Sequence, residues 1–282
     1  MAHEHHAHGD DAALAKMLDL DAEVLRPVLT ETTAWLAELA GDPPPARVLD
    51  LGSGPGAGTF ALLDRFPAAE AVAVDAAPGM LDRLTGAARA RGVADRVTAV
   101  AADLDAGWPP VGAFDLVWAS ASLHHVADPA RVLRDVRGAL RPGGLFAVLE
   151  LDGFPRFLPH DLGFGRPGLE DRCHAALADR HGAELPNLGA DWGPPLRDAG
   201  FAVEGERVLA IELAPPLTEA AGRYARVTLD RLRAHLADRL DADDLAALDA
   251  LLTPGGPHDV RRRDDLAARG RRTAWVARRP VV

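Results

Sequence analysis

The sequence contains very little of several residue types, and each shortage excludes a class of protein. Cys173 is the single cysteine, which excludes an internal disulfide framework and a zinc or iron–sulfur site built on cysteines. No run of apolar residues is long enough to span a bilayer. The first ten residues are rich in histidine and charge where a signal peptide has an apolar stretch, so we expect a cytoplasmic protein with no membrane partner.

Positive charge is also scarce relative to negative charge. The 42 acidic residues outnumber the 31 lysines and arginines, and the resulting net charge of −11 would on average repel a phosphate backbone. We therefore expect no nucleic-acid partner. A hydrophobic content of 48% and a charged content of 26% predict a globular protein, and 282 residues are enough for one large domain or two.

A group of histidines close to the start of the chain raises the question of a metal. Its members are His3, His5, His6 and His8. A chain terminus is a poor framework for a metal centre, and the rest of the sequence offers no convincing set of ligands. We therefore expect no metal site.

The region between residues 11 and 39 has the apolar spacing of amphipathic helices. Pro27 lies inside this pattern and should begin or kink a second helix, and the proline-rich connector 42–45 ends the region. A first boundary therefore separates residues 1–45 from the rest of the chain.

From residue 46 onward, short apolar runs alternate with helical stretches, which is typical of βα units around a parallel sheet. The predicted strands are residues 47–51, 71–75, 97–101, 114–119 and 145–151. The predicted helices between them are residues 58–65, 80–91 and 129–140. Right-handed crossovers make a doubly wound α/β sheet the simplest architecture for such a pattern.

The remainder of the chain, residues 153–282, is less regular than the segment 46–152. Its predicted elements are a short helix at 196–199, a strand at 201–213, two helices within 218–252 and a last strand at 273–278. If the two strands pair, with the last one antiparallel, then residues 153–195 and 214–270 are insertions into a single sheet. Such insertions would be placed to form a pocket wall.

The loop between the first strand and the first helix of this core is Gly52-Ser53-Gly54-Pro55-Gly56. Glycines let the backbone turn sharply and approach a ligand, and the N–H groups at the start of the following helix suit an anion. The same loop satisfies the Gly-x-Gly-x-x-Ala pattern of dinucleotide-binding proteins, with Ala57 as the final residue. The loop alone therefore leaves two classes of cofactor open.

Two acidic residues flank this loop in the expected sheet. Asp50 lies two residues before the first glycine, where its carboxylate would repel the phosphates of a dinucleotide and suits a cationic ammonium or sulfonium better. Asp75 ends the second strand, where an acidic side chain reaches ribose hydroxyls in either class of cofactor. Asp50 thus favours a cationic ligand.

The segment Arg47–Gly56 resembles the cofactor loop of class I S-adenosylmethionine-dependent methyltransferases. Further motifs follow in the order of that family over residues 46–150: Asp75 after the second strand, Asp103-Leu104, Phe114-Asp115-Leu116-Val117 and Arg141-Pro142-Gly143-Gly144. The resemblance implies a Rossmann-like fold, S-adenosylmethionine as cofactor and S-adenosylhomocysteine as product. It also implies that the helices of residues 1–45 form a lid over the cofactor.

The resemblance further implies which residues bind the cofactor. They are Asp50, Gly52, Ser53, Gly54, Gly56, Asp75, Ala76, Met80, Asp103, Leu104 and Ala119. Asp75 is expected on the ribose hydroxyls, Asp103 on the exocyclic amine of adenine, and Met80 against the adenosine. Ala119 should lie beside the cofactor, because ligands of open α/β sheets bind at the carboxyl ends of the strands.

Methyl transfer from a sulfonium is a direct displacement, so an enzyme gains most by holding the reacting atoms in line. If the acceptor is a hydroxyl or an acidic carbon, His124 or His125 is the candidate general base. The expected activity is methyl transfer to a small-molecule acceptor. The sequence indicates neither the identity of that acceptor nor the oligomeric state.

Two other functions stay open at this point. The dinucleotide pattern allows an NAD(P)- or flavin-dependent oxidoreductase, which Asp50 disfavours. A protein that binds S-adenosylmethionine without catalysing a reaction would also satisfy the motifs. Binding of S-adenosylhomocysteine and of NAD(P)H would separate the first alternative from a methyltransferase, and a methyl-transfer assay would separate the second.

Overall fold

The structure, a computed structural model, describes residues 14–281, with residues 179–184 described in their backbone only. The histidines at positions 3, 5, 6 and 8 lie outside the described residues. No helix in the described range is long and apolar enough to cross a membrane.

Seven strands form one sheet in the order β3-β2-β1-β4-β5-β7-β6. They are β1 (Arg47–Leu51), β2 (Glu70–Asp75), β3 (Val97–Ala101), β4 (Phe114–Ser120), β5 (Leu140–Leu151), β6 (Ala202–Leu213) and β7 (Ala268–Arg278). Strands β1 to β5 pair in parallel, whereas β7 runs antiparallel to both β5 and β6. The predicted Rossmann-like doubly wound sheet with an antiparallel last strand is confirmed.

Helices cover both faces of this sheet. They are α1 (residues 14–24), α2 (Arg26–Ala40), α3 (Ala57–Arg65), α4 (Pro78–Ala90), α5 (Pro129–Ala139), α6 (Leu169–Glu184), α7 (Gly193–Asp198), α8 (Glu219–His235) and α9 (Ala242–Leu252). Short 3-10 turns lie at Ala94–Arg96, Leu123–His125 and Val260–Arg262. Proline has the role expected of it near the start of the chain, because α2 begins at Arg26 with Pro27 in its first turn.

Several boundaries differ from the sequence expectations for reasons of pairing. Strand β5 begins at Leu140, not at residue 145, because Leu140 pairs with Phe114 across a register shift. Strand β7 begins at Ala268, not at residue 273, because it pairs with β6 along the whole of that strand. Long partners thus extend both strands through residues that have little strand pattern of their own.

Helix α6 lies in a segment whose glycine and proline content predicts irregular structure. Its buried residues Leu169, Cys173 and Leu177 are spaced by four, which is a helical signal too short to stand out in the sequence. These residues pack with α8 and α9 in a hydrophobic cluster that also includes Leu20 of α1. The two predicted insertions thus share a core of their own beside the sheet.

The sheet itself is buried between two further clusters. One lies under α5 and α7, and the other lies under α2 and α3. Both faces of β1 are therefore covered, and Asp50 is an acidic residue buried in this strand beside the apolar Val48, Leu49 and Leu51. The strand order reverses between β1 and β4, which is the point where open α/β sheets bind their ligands.

Candidate functional site

The loop after β1 requires glycine at more than one position. Gly52 has φ of +67°, and a Cβ atom there would lie 2.4 Å from Ser122 Cβ. Gly56 has φ of +103°, and a Cβ atom there would lie 2.7 Å from Phe60 Cε2. Any side chain would therefore be strained and would collide with its neighbours. The loop follows one close path between α3 and the segment after β4.

Asp75, the last residue of β2, holds two loops together. Its Oδ2 atom accepts a hydrogen bond from the Gly54 N–H at 2.8 Å, and its Oδ1 atom accepts one from the Ala77 N–H at 2.8 Å. The N–H of Gly52 donates to the Val74 carbonyl oxygen at 2.8 Å. The glycine loop is thus attached to the end of β2 by its backbone.

Asp50 lies beneath this loop, and its side chain is almost completely buried. Its Oδ2 atom accepts a hydrogen bond from Thr59 Oγ1 at 2.6 Å. A Cβ atom on Gly58 would lie 3.1 Å from Asp50 Oδ2 and 2.6 Å from Trp118 Nε1, so glycine allows α3 to approach both groups. Burial raises the pKa of the Asp50 carboxyl to about 7. A cationic ligand would favour its ionised form.

The turn after β3 presents Asp103, Leu104 and Asp105. Asp103 Oδ1 accepts a hydrogen bond from the Asp105 N–H at 2.9 Å, and Asp105 Oδ1 accepts one from the Ala127 N–H at 3.0 Å. The Arg131 guanidinium donates to the Leu104 carbonyl oxygen. The turn is thereby fixed to the segment that follows β4.

Glu150, at the end of β5, organises the two predicted histidines. Its Oε1 atom accepts hydrogen bonds from the N–H groups of Ser122 at 3.0 Å and Leu123 at 2.7 Å, and its Oε2 atom lies 2.7 Å from His124 Nδ1. The rings of His124 and His125 have centroids 4.1 Å apart. Burial, and next the neighbouring His124, lower the pKa of the His125 imidazole.

These loops surround a cavity of about 410 Å³ at the carboxyl ends of the parallel strands. A volume of this order is typical of small-molecule sites. The predicted residues that line the cavity are Asp50, Gly52, Ser53, Gly54, Asp75, Ala76, Met80, Asp103, Leu104 and His125. The structure thus brings together most of the residues that the motifs indicated.

Three predicted residues lie behind the lining and not in it. Ala119 was expected beside the cofactor, but it does not line the cavity. Trp118 and Ser120 line it, and neighbouring side chains in a strand point to opposite faces. Ala119 packs instead into the cluster under α5. His124 is held against Glu150, behind His125, and Gly56 is covered by an aromatic ring of α3.

Trp118 belongs to the cavity although the motifs did not indicate it. Trp118 is in register with Asp50 on the neighbouring strand, so the alternation of β4 places it on the same face as that carboxylate, and this alternation is the signal that could have found it. Among the described residues, the buried Trp118 Nε1 and Ser53 Oγ atoms have no hydrogen-bond partner. Both residues line the cavity, and both polar groups are therefore suited to a polar ligand.

Helices α1 and α2 lie over the cavity. The residues of this region that line it are Leu14, Leu18, Asp21, Ala22, Leu25, Val28 and Leu29. Leu18 Cδ1 lies 3.6 Å from the point that a Cβ atom on Gly54 would occupy, so α1 packs onto the glycine loop. On the outside, Asp19 and Arg83 form an exposed ion pair at 3.8 Å between α1 and α4.

A second set of contacts attaches α1 to the far end of the chain. Asp21 Oδ1 accepts a hydrogen bond from Tyr224 Oη at 2.5 Å, and the Arg272 guanidinium lies 3.0 and 3.2 Å from the two carboxylate oxygens of Asp21. Tyr224 belongs to α8 and Arg272 to β7. No sequence pattern indicates this cluster, because Asp21 and Tyr224 are separated by 203 positions.

The charges of the cavity indicate what kind of ligand it suits. Its lining includes the five carboxylates of Asp21, Asp50, Asp75, Asp103 and Asp105. The first turn of α3 has no acidic residue and no side-chain cap, so its N–H groups, apart from that of Thr59, which hydrogen-bonds to Asp50, are available to an anionic group at that one end. A ligand with one carboxylate and several cationic or hydroxyl groups fits this pattern. Among the described residues, no cluster of three or more His, Cys, Asp or Glu side chains is arranged to hold a metal ion.

Comparison with protein families gives one match to the central part of the chain. A family model described as a methyltransferase domain matches residues 49–146. This segment extends from β1 into β5 and contains the glycine loop and both acidic turns.

Comparison with curated proteins finds relatives of partial length. A trans-aconitate 2-methyltransferase of Methylobacterium radiotolerans is 40% identical over 121 residues, which are 42% of this chain and 44% of that protein. The chain spans about half the length of the curated relatives it matches.

Solved structures share the fold over most of the chain. A candidate methyltransferase from Bacillus halodurans superposes with a TM-score of 0.57 at 18% identity, covering 89% of this chain and 99% of that one. The [4+2]-cyclase SpnF superposes with a TM-score of 0.50 at 22% identity, covering 90% of this chain and 82% of that one. At these identities the likeness concerns the fold alone.

Proposed function

We propose that the protein is a class I S-adenosylmethionine-dependent methyltransferase that transfers a methyl group to a small-molecule acceptor, because its central segment matches a methyltransferase domain and is similar to curated methyltransferases. The observation that supports this most directly is the acidic cavity at the carboxyl ends of β1 to β4. In it, Asp50, Asp75 and Asp103 are held by neighbouring hydrogen bonds around one glycine loop.

The cofactor roles follow from the chemistry of each group. The N–H groups at the start of α3 suit the carboxylate of the methionine part, and Asp50 suits its ammonium group. We assign Asp75 to the ribose hydroxyls and Asp103 to the adenine amine beside Leu104, and the fact that all three line the same cavity supports this assignment. When bound, the cofactor supplies an electrophilic methyl group on a sulfonium.

The same charges argue against a dinucleotide cofactor. A pyrophosphate brings negative charge to the glycine loop, where Asp50 and Asp75 already lie. Burial already raises the pKa of the Asp50 carboxyl to about 7, and a neighbouring phosphate would raise it further, so a pyrophosphate could bind there only against a protonated Asp50, whereas a cation favours its ionised form. A nicotinamide or flavin coenzyme therefore fits this cavity less well than a sulfonium amino acid.

Proton removal is the second task that the site can perform. His125 lines the cavity, and the lowered pKa of its imidazole keeps it neutral and able to accept a proton near neutral pH. His124 is held by Glu150 behind it, which suits a supporting role. We assign the proton-accepting role to His125.

Calorimetry with S-adenosylhomocysteine and with NADH tests the cofactor assignment. We expect S-adenosylhomocysteine to bind and NADH not to bind. Tight binding of NADH with no binding of the thioether would overturn the proposal.

A transfer assay tests the reaction itself, which the fold does not determine, since a [4+2]-cyclase shares it. The protein is incubated with methyl-labelled S-adenosylmethionine and the small-molecule fraction of a bacterial extract. We expect label in a protein-dependent product whose mass has increased by one methyl group. S-adenosylhomocysteine binding without any transfer of label would indicate a binding protein.

A further inference from the structure

The cavity extends beyond the residues that the cofactor roles use. We call the remaining part the acceptor wall and define it as Asp21, Leu25, His125, Leu149 and Arg272, all of which line the cavity. We propose that the acceptor carries no carboxylate and reacts through a hydroxyl or amino nucleophile, because the acceptor wall excludes carboxylate acceptors. This inference rests on the proposed function and specifies its substrate class.

The first argument is the charge of the whole cavity. Within residues 14–281, Arg272 is the only arginine or lysine that lines it, against five aspartates. A di- or tricarboxylate acceptor would need several cationic partners to replace the water that it loses on entry. The acceptor wall does not supply them.

The second argument is that Arg272 is already paired. Its guanidinium lies 3.0 and 3.2 Å from the Asp21 carboxylate, and its side chain is only 8% exposed. Tyr224 Oη donates a further hydrogen bond to the same carboxylate. A carboxylate acceptor could engage Arg272 only by displacing Asp21, together with the helix that carries it.

The third argument concerns His125, the other group on the wall that could carry positive charge. Burial and the adjacent His124 hold the pKa of its imidazole below the ordinary range, while Glu150 and Asp75 only partly oppose this effect. His125 is therefore neutral near pH 7. A neutral imidazole accepts a proton from a hydroxyl or an amine but does not neutralise a carboxylate.

The transfer step fits this class of acceptor. The acceptor oxygen or nitrogen forms a bond to the methyl carbon while the carbon–sulfur bond breaks, and the electron pair of that bond stays on sulfur. The proton of the nucleophile passes to the His125 imidazole. Apolar side chains at Leu25 and Leu149 complete a wall suited to an uncharged molecular frame.

The trans-aconitate 2-methyltransferase relative makes the inference testable by contrast. In the labelled-transfer assay, products are separated by ion exchange at pH 7 and then treated with base. We expect the label in the uncharged or cationic fraction, in a base-stable methyl ether or methylamine. Label in the anionic fraction, or release of volatile methanol from a methyl ester, would overturn the inference.

A binding experiment tests the same inference without turnover. Trans-aconitate is titrated into the complex with S-adenosylhomocysteine for the wild type, for Asp21→Asn and for the control Asp19→Asn. Asp19 lies on the same helix, does not line the cavity, and forms an exposed ion pair with Arg83. We expect no binding at millimolar concentration for the wild type and the control, and a gain of about tenfold or more for Asp21→Asn, because a freed guanidinium pairs with a carboxylate.

Either of two results would contradict the inference in this experiment. One is wild-type binding of trans-aconitate at micromolar concentration, and the other is a folded Asp21→Asn variant that gains no affinity. Arg272→Gln serves as the second variant. It lacks the guanidinium, so we expect it to gain no affinity for trans-aconitate. If S-adenosylhomocysteine itself fails to bind, the cofactor proposal has failed and not the acceptor class.

Discussion

The cavity has two parts that are built in different ways. One is the acceptor wall, and the other is the cofactor half, which we define as the lining residues assigned to the cofactor: Asp50, Gly52, Ser53, Gly54, Asp75, Ala76, Met80, Asp103 and Leu104. In the cofactor half, hydrogen-bonded partners are close in the chain: Asp50 and Thr59 are nine positions apart, and Asp75 and Gly54 are 21 apart. In the acceptor wall, Arg272 and Asp21 are 251 positions apart. The first half therefore depends on the geometry of the β1-α3-β2 unit, and the second depends on how distant segments pack.

We expect the largest loss of cofactor affinity from a substitution in the glycine loop of the cofactor half. Gly52→Val would place a branched side chain at φ of +67° and against Ser122. We expect affinity for S-adenosylhomocysteine to fall by about 100-fold or more, because strain of about 1–3 kcal/mol adds to the collision. Calorimetry measures the affinity, and circular dichroism checks the fold.

Gly86→Ala is the matched control for that variant. Gly86 lies in α4 without a positive φ, and a Cβ atom there would have nothing within 4 Å. Alanine there should leave binding intact and stabilise the helix by about 0.5–1 kcal/mol. If both variants lost the same affinity for S-adenosylhomocysteine, the result would contradict a specific role of the glycine loop in cofactor binding.

The next effect should appear in turnover and not in binding. His125→Gln removes the imidazole from the acceptor wall, and we expect kcat to fall by about 100-fold, as is usual for loss of a general base. Affinity for S-adenosylhomocysteine should stay within about twofold. His124→Gln, which changes the residue behind the lining, should reduce kcat less. An unchanged kcat for His125→Gln would show that His125 is not the general base.

Asp50 should make cofactor binding depend on pH. Its pKa is about 7 in the free protein, so binding of an ammonium group below that pH must first release a proton. We expect affinity for S-adenosylhomocysteine to fall about tenfold between pH 8 and pH 6, and Asp50→Asn to abolish this dependence. If the pH dependence of binding persisted in Asp50→Asn, another titrating group would be responsible for it.

Asp50 also makes the stability of the free protein depend on pH, in the opposite direction: its contribution falls as the pH rises, whereas cofactor affinity increases. The folded pKa of about 7 is above the ordinary aspartate value of 3.8, so the unfolded state ionises first as the pH rises. The Asp50 contribution to the free energy of unfolding is therefore full below about pH 4 and is lost between about pH 4 and pH 7. Comparison of wild type with Asp50→Asn by urea unfolding isolates this contribution.

The smallest effect on cofactor affinity should come from the contact between α1 and α8. Tyr224→Phe removes the hydrogen bond to Asp21 and leaves the pair with Arg272. We expect the free energy of unfolding to fall by about 1.5 kcal/mol, because the lost bond has a charged acceptor. Affinity for S-adenosylhomocysteine should change little. A large loss of affinity would mean that the two halves of the cavity are coupled.

Most of the core is predictable from the sequence, and the errors have physical causes. The five parallel strands and the order of motifs follow from local apolar runs and turns, and they are confirmed. Helix α6 was not predicted because, in its described part up to residue 178, only the three buried apolar residues Leu169, Cys173 and Leu177 mark its inner face. The starts of β5 and β7 differ from expectation because partner strands extend them through residues with weak patterns of their own.

The sequence predicted most of the residues that line the cofactor half, but not which way the side chains of β4 face or which of the two histidines reaches the cavity. Ala119 does not line the cavity, whereas its neighbours Trp118 and Ser120 do, because the facing direction of β4 depends on its register with β1. His124 and His125 are equivalent in the sequence, and only the position of Glu150 separates them, since it holds one ring behind the other. The roles of these residues in binding and catalysis stay predictions until affinity and turnover are measured.

The sequence by itself determined the doubly wound sheet and the acidic glycine loop. Both depend on interactions between residues that are close in the chain, namely the strand and helix periodicities and the turn after β1. Only the tertiary structure decided that Asp21 and Tyr224 meet Arg272 over the cavity. That contact depends on how α1, α8 and β7 pack, and packing between distant segments leaves no periodic signal in a single sequence.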